Sequence, residues 1–254
     1  MKKVGFLSAL SFALLSVQSY AHFLLLIPES DVVKKRTVEV LTEFTHPAEG
    51  GPSMHYQIEK SGVFVAGKVY PIKWKKFYIP ACEGCSEKVE AYKGTFRVFR
   101  PGVYQIFVKQ EPYYEPHEGQ YIQQIAKVYV DTFGLEEGWQ KPIGLEVEIV
   151  PLTRPFGLWE GNTFVGRVYK NGKPLPHARV EVEYYNRQRV KYPNETLYTQ
   201  VVETDDEGYF YYTVPWSGWW GFSAITDGGT YKGKPLELDA VLWIYAYPKP
   251  KGVK

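Results

Sequence analysis

Of the five histidines in the 254-residue chain, His22 is the one whose position changes its chemistry. Lys2 and Lys3, the apolar residues 4–17 and the small residues of Ser19-Tyr20-Ala21 have the layout of a secretory signal cut after Ala21. Cleavage there makes His22 the first residue of the exported protein. Its free α-amine and its own Nδ1 then close a six-membered chelate on one metal ion. A deprotonated amine and neutral imidazoles are borderline nitrogen donors, suited to Ni²⁺, Co²⁺, Cu²⁺ or Zn²⁺. The amine has a reference pKa of about 7.7–8.0 and histidine one of about 6.5, so metal must displace protons and binding weakens in acid.

Three more histidines fall in the same half of the chain. His46 lies in Phe44-Thr45-His46-Pro47 at the end of an expected strand, and His55 follows Met54 in a turn-rich stretch. His117 sits in Tyr113-Tyr114-Glu115-Pro116-His117-Glu118-Gly119, a loop before the next strand. Loops at one end of a sandwich are where binding residues gather, so the expected metal set is His22 and His46, completed by His55, His117 or Met54. The competing reading of a loop histidine is a solvated surface residue, and it is the one taken for His177. Glu115 and Glu118 are read as solvated loop charges, with a role as ligands or orienters as the alternative. No glycine-rich phosphate cradle, G-x-S-x-G elbow or H-E-x-x-H helix occurs, and no catalysis is expected.

The elements that must position these residues are strands. Aromatic residues make up 17% of the chain, and 23 Gly and 18 Pro supply tight turns, a composition of short strands in an all-β fold. Alternating or continuous β-type runs cover residues 36–45, 62–66, 88–92, 95–99, 103–109 and 121–131, with 144–150 as the last strand of a first sandwich spanning 22–150. Residues 151–157, bounded by Pro and Gly, read as a linker. A second sandwich spans 158–248, with a tail at 249–254. Its strands fall at 163–170, 178–185, 209–214, 219–225 and 240–247, with Val180 and Val182 inward and Glu181 and Glu183 outward. This half resembles the small sandwiches related to transthyretin and to carboxypeptidase regulatory domains, a likeness that speaks to fold and not to function.

Bulk properties narrow the partners. Without Lys2 and Lys3 the 30 basic residues match the 28 acidic ones, so no nucleic-acid surface is expected. No second apolar run approaches the roughly 18 residues of a spanning helix, so the mature chain is not expected to cross a membrane. Cys82 and Cys85, the two cysteines, form one C-x-x-C, read as a local disulfide of an oxidising compartment, with a soft metal site as the alternative.

Taken together, Ala21-His22-Phe23, "FTHPAEGGPSM", "PYYEPHEGQYIQQIAKVYVD", "EEGWQKPIGLEVEIVPLTRPFGLWEGNTFVGRV" and "GWWGFSA" resemble the DUF4198 family. Members are described as periplasmic components of cobalt and nickel uptake systems of the NikK or CbiK-like type. The resemblance implies a periplasmic protein that binds nickel or cobalt, carries a metal role onto His22 and His46, and delivers the ion to a membrane transporter of the energy-coupling-factor type. Gln124 departs from the pattern, since relatives often have histidine there. Two other classes compete: a copper histidine-brace oxidative enzyme, with Tyr113 or Tyr114 as an axial aromatic, and a metal-free adhesion or sugar-binding protein.

Overall fold

The computed structural model describes residues 22–252; the expected signal segment 1–21 lies outside them. Among the described residues the regular secondary structure is strand apart from one short 3-10 turn at Glu195–Leu197, and no helix is long and apolar enough to cross a membrane. The expected all-β sandwich class is the observed one.

Three sheets stack around two hydrophobic cores. The first is antiparallel, ordered Phe23–Pro28, Thr37–Thr45, Lys88–Arg97, Lys73–Pro80. Thr37–Thr45 shows the alternation that built it, with Val38, Val40, Thr42 and Phe44 buried. Residues 88–92 and 95–99, read as two strands, belong largely to one continuous strand. Phe23–Pro28 was not expected as a strand, because every residue in it is buried and no period of two shows. Cys82 and Cys85 form a disulfide in the turn that follows Lys73–Pro80.

The second sheet runs through both halves of the chain. Its centre is the parallel pairing of Gln120–Thr132 with Lys234–Tyr247, from Tyr121 opposite Leu236 to Val128 opposite Trp243. Gly102–Gln110 and Ile58–Val65 continue it on one side, and Gly218–Ala224, Arg179–Tyr184 and Gln200–Glu203 on the other. The third sheet pairs Val147–Pro151 and Tyr209–Thr213 with Thr163–Lys170.

Strand alternation divides the central strands between the two cores. Val241 and Trp243 enter the first, while Leu238, Ala240, Leu242 and Ile244 enter the second. Ala126, Val128 and Val130 face the first core, and Ile125 and Tyr129 the second. Two consequences differ from the sequence reading. Val147–Pro151 pairs with Thr163–Lys170, and Val147 and Ile149 join the second core, so the strand expected to close the first sandwich belongs with the second unit. Glu181 and Glu183 do point away from Val180 and Val182, but the first unit covers that face and both are buried.

One buried ion pair crosses from the shared sheet to the third. Lys127 Nζ lies 2.8 Å from Glu148 Oε2, both side chains almost fully enclosed. The Glu148 carboxylate also accepts the backbone N–H groups of Ile143, Gly144 and Leu145. Glu148→Gln leaves the Lys127 ammonium buried without its counter-ion. Urea unfolding at neutral pH is expected to show a loss of about 3–5 kcal/mol, and a loss within experimental error would assign the pair no role in stability.

Candidate metal centre

Antiparallel register brings the first two candidate ligands together. Phe23 pairs with Thr45, which sets His22 and His46 at neighbouring ends of adjacent strands. Their ring centroids are 4.5 Å apart. His46 is 8% exposed, and the His22 ring stacks on Phe44, with Tyr113 at 5.9 Å.

A short hairpin supplies the third group. Tyr113–Glu115 folds back on Gln120–Thr132, pairing Glu115 with Gln120 and Tyr113 with Ile122. This buries Glu115, contrary to its reading as a solvated charge, and places Oε2 3.1 Å from His22 Nε2. The other carboxylate oxygen accepts the His117 backbone N–H at 3.0 Å. A carboxylate only accepts, so in the neutral imidazole a hydrogen on Nε2 toward Glu115 puts the lone pair on Nδ1. Burial, and then the Glu115 charge, raise the Tyr113 hydroxyl above its ordinary pKa.

The main chain at His22 is clamped from the shared sheet. Gln124 Oε1 accepts the Leu24 N–H and its Nε2 donates to the His22 carbonyl, each at 2.6 Å. The same Nε2 lies 3.0 Å from Asp239 Oδ2, the partner of Gln124 in the parallel register. Burial, then the Glu237 carboxyl, push Asp239 well above the usual carboxylate range. The sequence marked Gln124 only as a departure at a histidine position; its clamp on the first strand depends on a pairing between residues more than a hundred positions apart.

The second unit holds the His46 loop. The Gly50 and Gly51 N–H groups close on the His46 carbonyl, and the Asn186 N–H donates to the Pro47 carbonyl at 3.0 Å. Asn186 Nδ2 donates to the Ala48 carbonyl, and the Ala48 N–H donates to Glu183 Oε2 at 3.1 Å.

The remaining candidates have other surroundings. His55 is exposed, with Nδ1 2.6 Å from Glu90 and Nε2 3.6 Å from Glu87. It lines a cavity of about 250 Å³ that Tyr113 also borders. The His117 side chain is exposed and its backbone serves Glu115, while Met54 packs against the first core. His177 is exposed beside Glu203 and Asp206, as expected of a surface residue. Among the described residues, no group of three or more His, Cys, Asp or Glu side chains is arranged to hold a metal ion. His22 and His46 are thus the two candidate ligands that the fold brings into ring contact, with Glu115 beside them.

Glu183 ties this loop to pH. Burial pushes its carboxyl up to about 8, against the hydrogen bonds from Thr199 and Ala48, which lower it. The folded protein thus keeps this proton where the unfolded chain, near 4.5, has lost it. Stability from this group is complete below about pH 4.5 and is lost as pH rises toward about 8. Glu183→Gln, neutral at every pH, is expected to flatten the fall in urea midpoint between pH 5 and 8. Parallel pH profiles for the two proteins would remove Glu183 as the cause.

A family model described as "Domain of unknown function (DUF4198)" matches residues 19–228. None of the curated proteins compared with the chain matches it. Among solved structures, Escherichia coli alpha-2-macroglobulin activated by porcine elastase is 12% identical, with a TM-score of 0.24, over 89% of this chain and 20% of that one. The D00-D0 domain of intimin is 12% identical, with a TM-score of 0.23, over 89% of this chain and 100% of that one. Scores of this size carry nothing about the site. The family match spans most of the chain, including both strands that meet at His22 and His46, and on that ground the protein belongs to the DUF4198 family.

Proposed function

We propose that the protein, cut after Ala21, is a periplasmic carrier of nickel or cobalt that hands the ion to a membrane transporter of the energy-coupling-factor type. The metal is cargo, held by the His22 amine, His22 Nδ1 and His46. The observation that carries this reading is the contact between His22 Nε2 and Glu115. It commits the remote ring nitrogen to a carboxylate and turns the lone pair to Nδ1, the atom that closes a chelate with the amine. Metal-binding histidines are oriented in this way, by a carboxylate on the nitrogen that does not bind. His46, in ring contact with His22, adds a further imidazole. Three nitrogen donors suit borderline divalent ions. Affinity alone favours copper within that series, so the choice of nickel or cobalt rests on the family resemblance.

The copper histidine-brace enzyme is the second reading, favoured by Tyr113 at 5.9 Å from the His22 ring. Peroxide production by the copper-loaded protein with a reductant would support it over a carrier role.

The test is calorimetric titration of Ni²⁺, Co²⁺ and Cu²⁺ into protein beginning at His22, beside protein with one alanine added before it. Tight binding by the first and its loss in the second are expected, with affinity falling from pH 8 to pH 6 as the donors take up protons. Glu115→Gln is expected to weaken binding about 10–100-fold. Equal binding by both N-termini would take the amine out of the site and overturn the proposal.

A further inference from the structure

At the opposite end of the first sandwich, three basic residues from three neighbouring strands border one cavity. Arg36 precedes Thr37–Thr45, Arg97 pairs with Thr37, and Lys73 pairs with Thr95 on the next strand. All three are exposed, and among the described residues none lies within ion-pair distance of a carboxylate. They border a cavity of about 520 Å³ whose lining contains no Asp or Glu. An anion in the cavity would meet cationic side chains and no acidic one among its lining residues.

The rest of the cavity wall is aromatic. Tyr70 and Phe99 sit with centroids 4.8 Å apart, and Phe99 meets Tyr104 edge-on at 6.0 Å. Tyr70 and Phe99 remain 36% and 44% exposed, a large apolar surface left at the cavity mouth. This wall is held in place: the buried Tyr104 hydroxyl accepts the N–H groups of Phe99 and Arg100 and donates to the Arg100 carbonyl. A concave site of this volume, mostly apolar with a few convergent charged groups, matches a small-molecule pocket. Guanidinium groups also pair with carboxylates through two parallel hydrogen bonds.

We propose that this cavity binds a small aromatic carboxylate, its ring against Tyr70 and Phe99 and its charge on Arg36, Lys73 and Arg97. The site is independent of the metal centre. Thr37 and Thr45 mark the two ends of one strand, roughly 25 Å apart at about 3.3 Å per residue, and His22 lies at the Thr45 end.

The test is calorimetric titration of the whole secreted protein with 2-naphthoate, beside the neutral 2-naphthalenemethanol and the single-ring benzoate. Saturable binding of 2-naphthoate at one site is expected, at least tenfold tighter than either comparison compound. Changing Arg36, Lys73 and Arg97 together to Gln, or Phe99→Ala alone, is expected to weaken it by tenfold or more with Ni²⁺ binding unchanged. Absence of binding, equal binding of the alcohol, or binding untouched by the cation and Phe99 changes would each overturn the proposal. Benzoate binding as tightly as naphthoate would overturn the aromatic wall. The ligand comparison is made on the unaltered protein and does not depend on any variant folding.

Discussion

From Tyr121 with Leu236 to Val128 with Trp243, an unbroken parallel ladder joins two segments more than a hundred residues apart. Parallel strands are stable where both faces are covered, and here the first sheet covers one face and the third sheet the other. Each central strand therefore serves two cores, sending alternate side chains to each. Halves that read as separate sandwiches are in this way one stacked structure. Phe23–Pro28, packed against the ladder, loses its solvent face for the same reason.

Covering both faces also buries polar groups that a free sandwich would leave in water. Glu181, Glu183, Gln124 and Asp239 all lie on the face of the shared sheet that the first unit covers. Buried polar groups must find partners, and two of these find them in the segments that carry the candidate ligands. Gln124 holds the main chain on both sides of Phe23, while Glu183, with Asn186, holds the loop after His46. The second unit is thus a support for His46, rather than an appendage beside it. Restraint of this kind matters for a proposed chelate that begins at the first residue of a chain, since a frayed end would have to be ordered on binding.

The two ends of the first sheet differ in chemistry. At the His22 end the side chains are nitrogen donors, with one buried carboxylate beside them. At the Arg97 end three cations without acid partners stand beside exposed aromatic rings. One sheet offers both because its ends lie a strand's length apart, beyond the roughly 8–10 Å over which exposed charges act on each other in ordinary salt.

Local sequence alone determined most of the strands, since a period of two survives wherever one face is wet; Thr37–Thr45 and Thr163–Lys170 are examples. It also favoured the disulfide, which closes within four residues. The meeting of His22 with His46 was legible only as a possibility, because it depends on the register that pairs Phe23 with Thr45. Strands buried on both faces lose their period, which hid Phe23–Pro28. The burial of Glu115, the clamp by Gln124 and the membership of Val147–Pro151 in the second unit were decided by tertiary structure. Each depends on which strand lies alongside, a choice made by long-range pairing and the covering of both sheet faces, and no local pattern of residues records it.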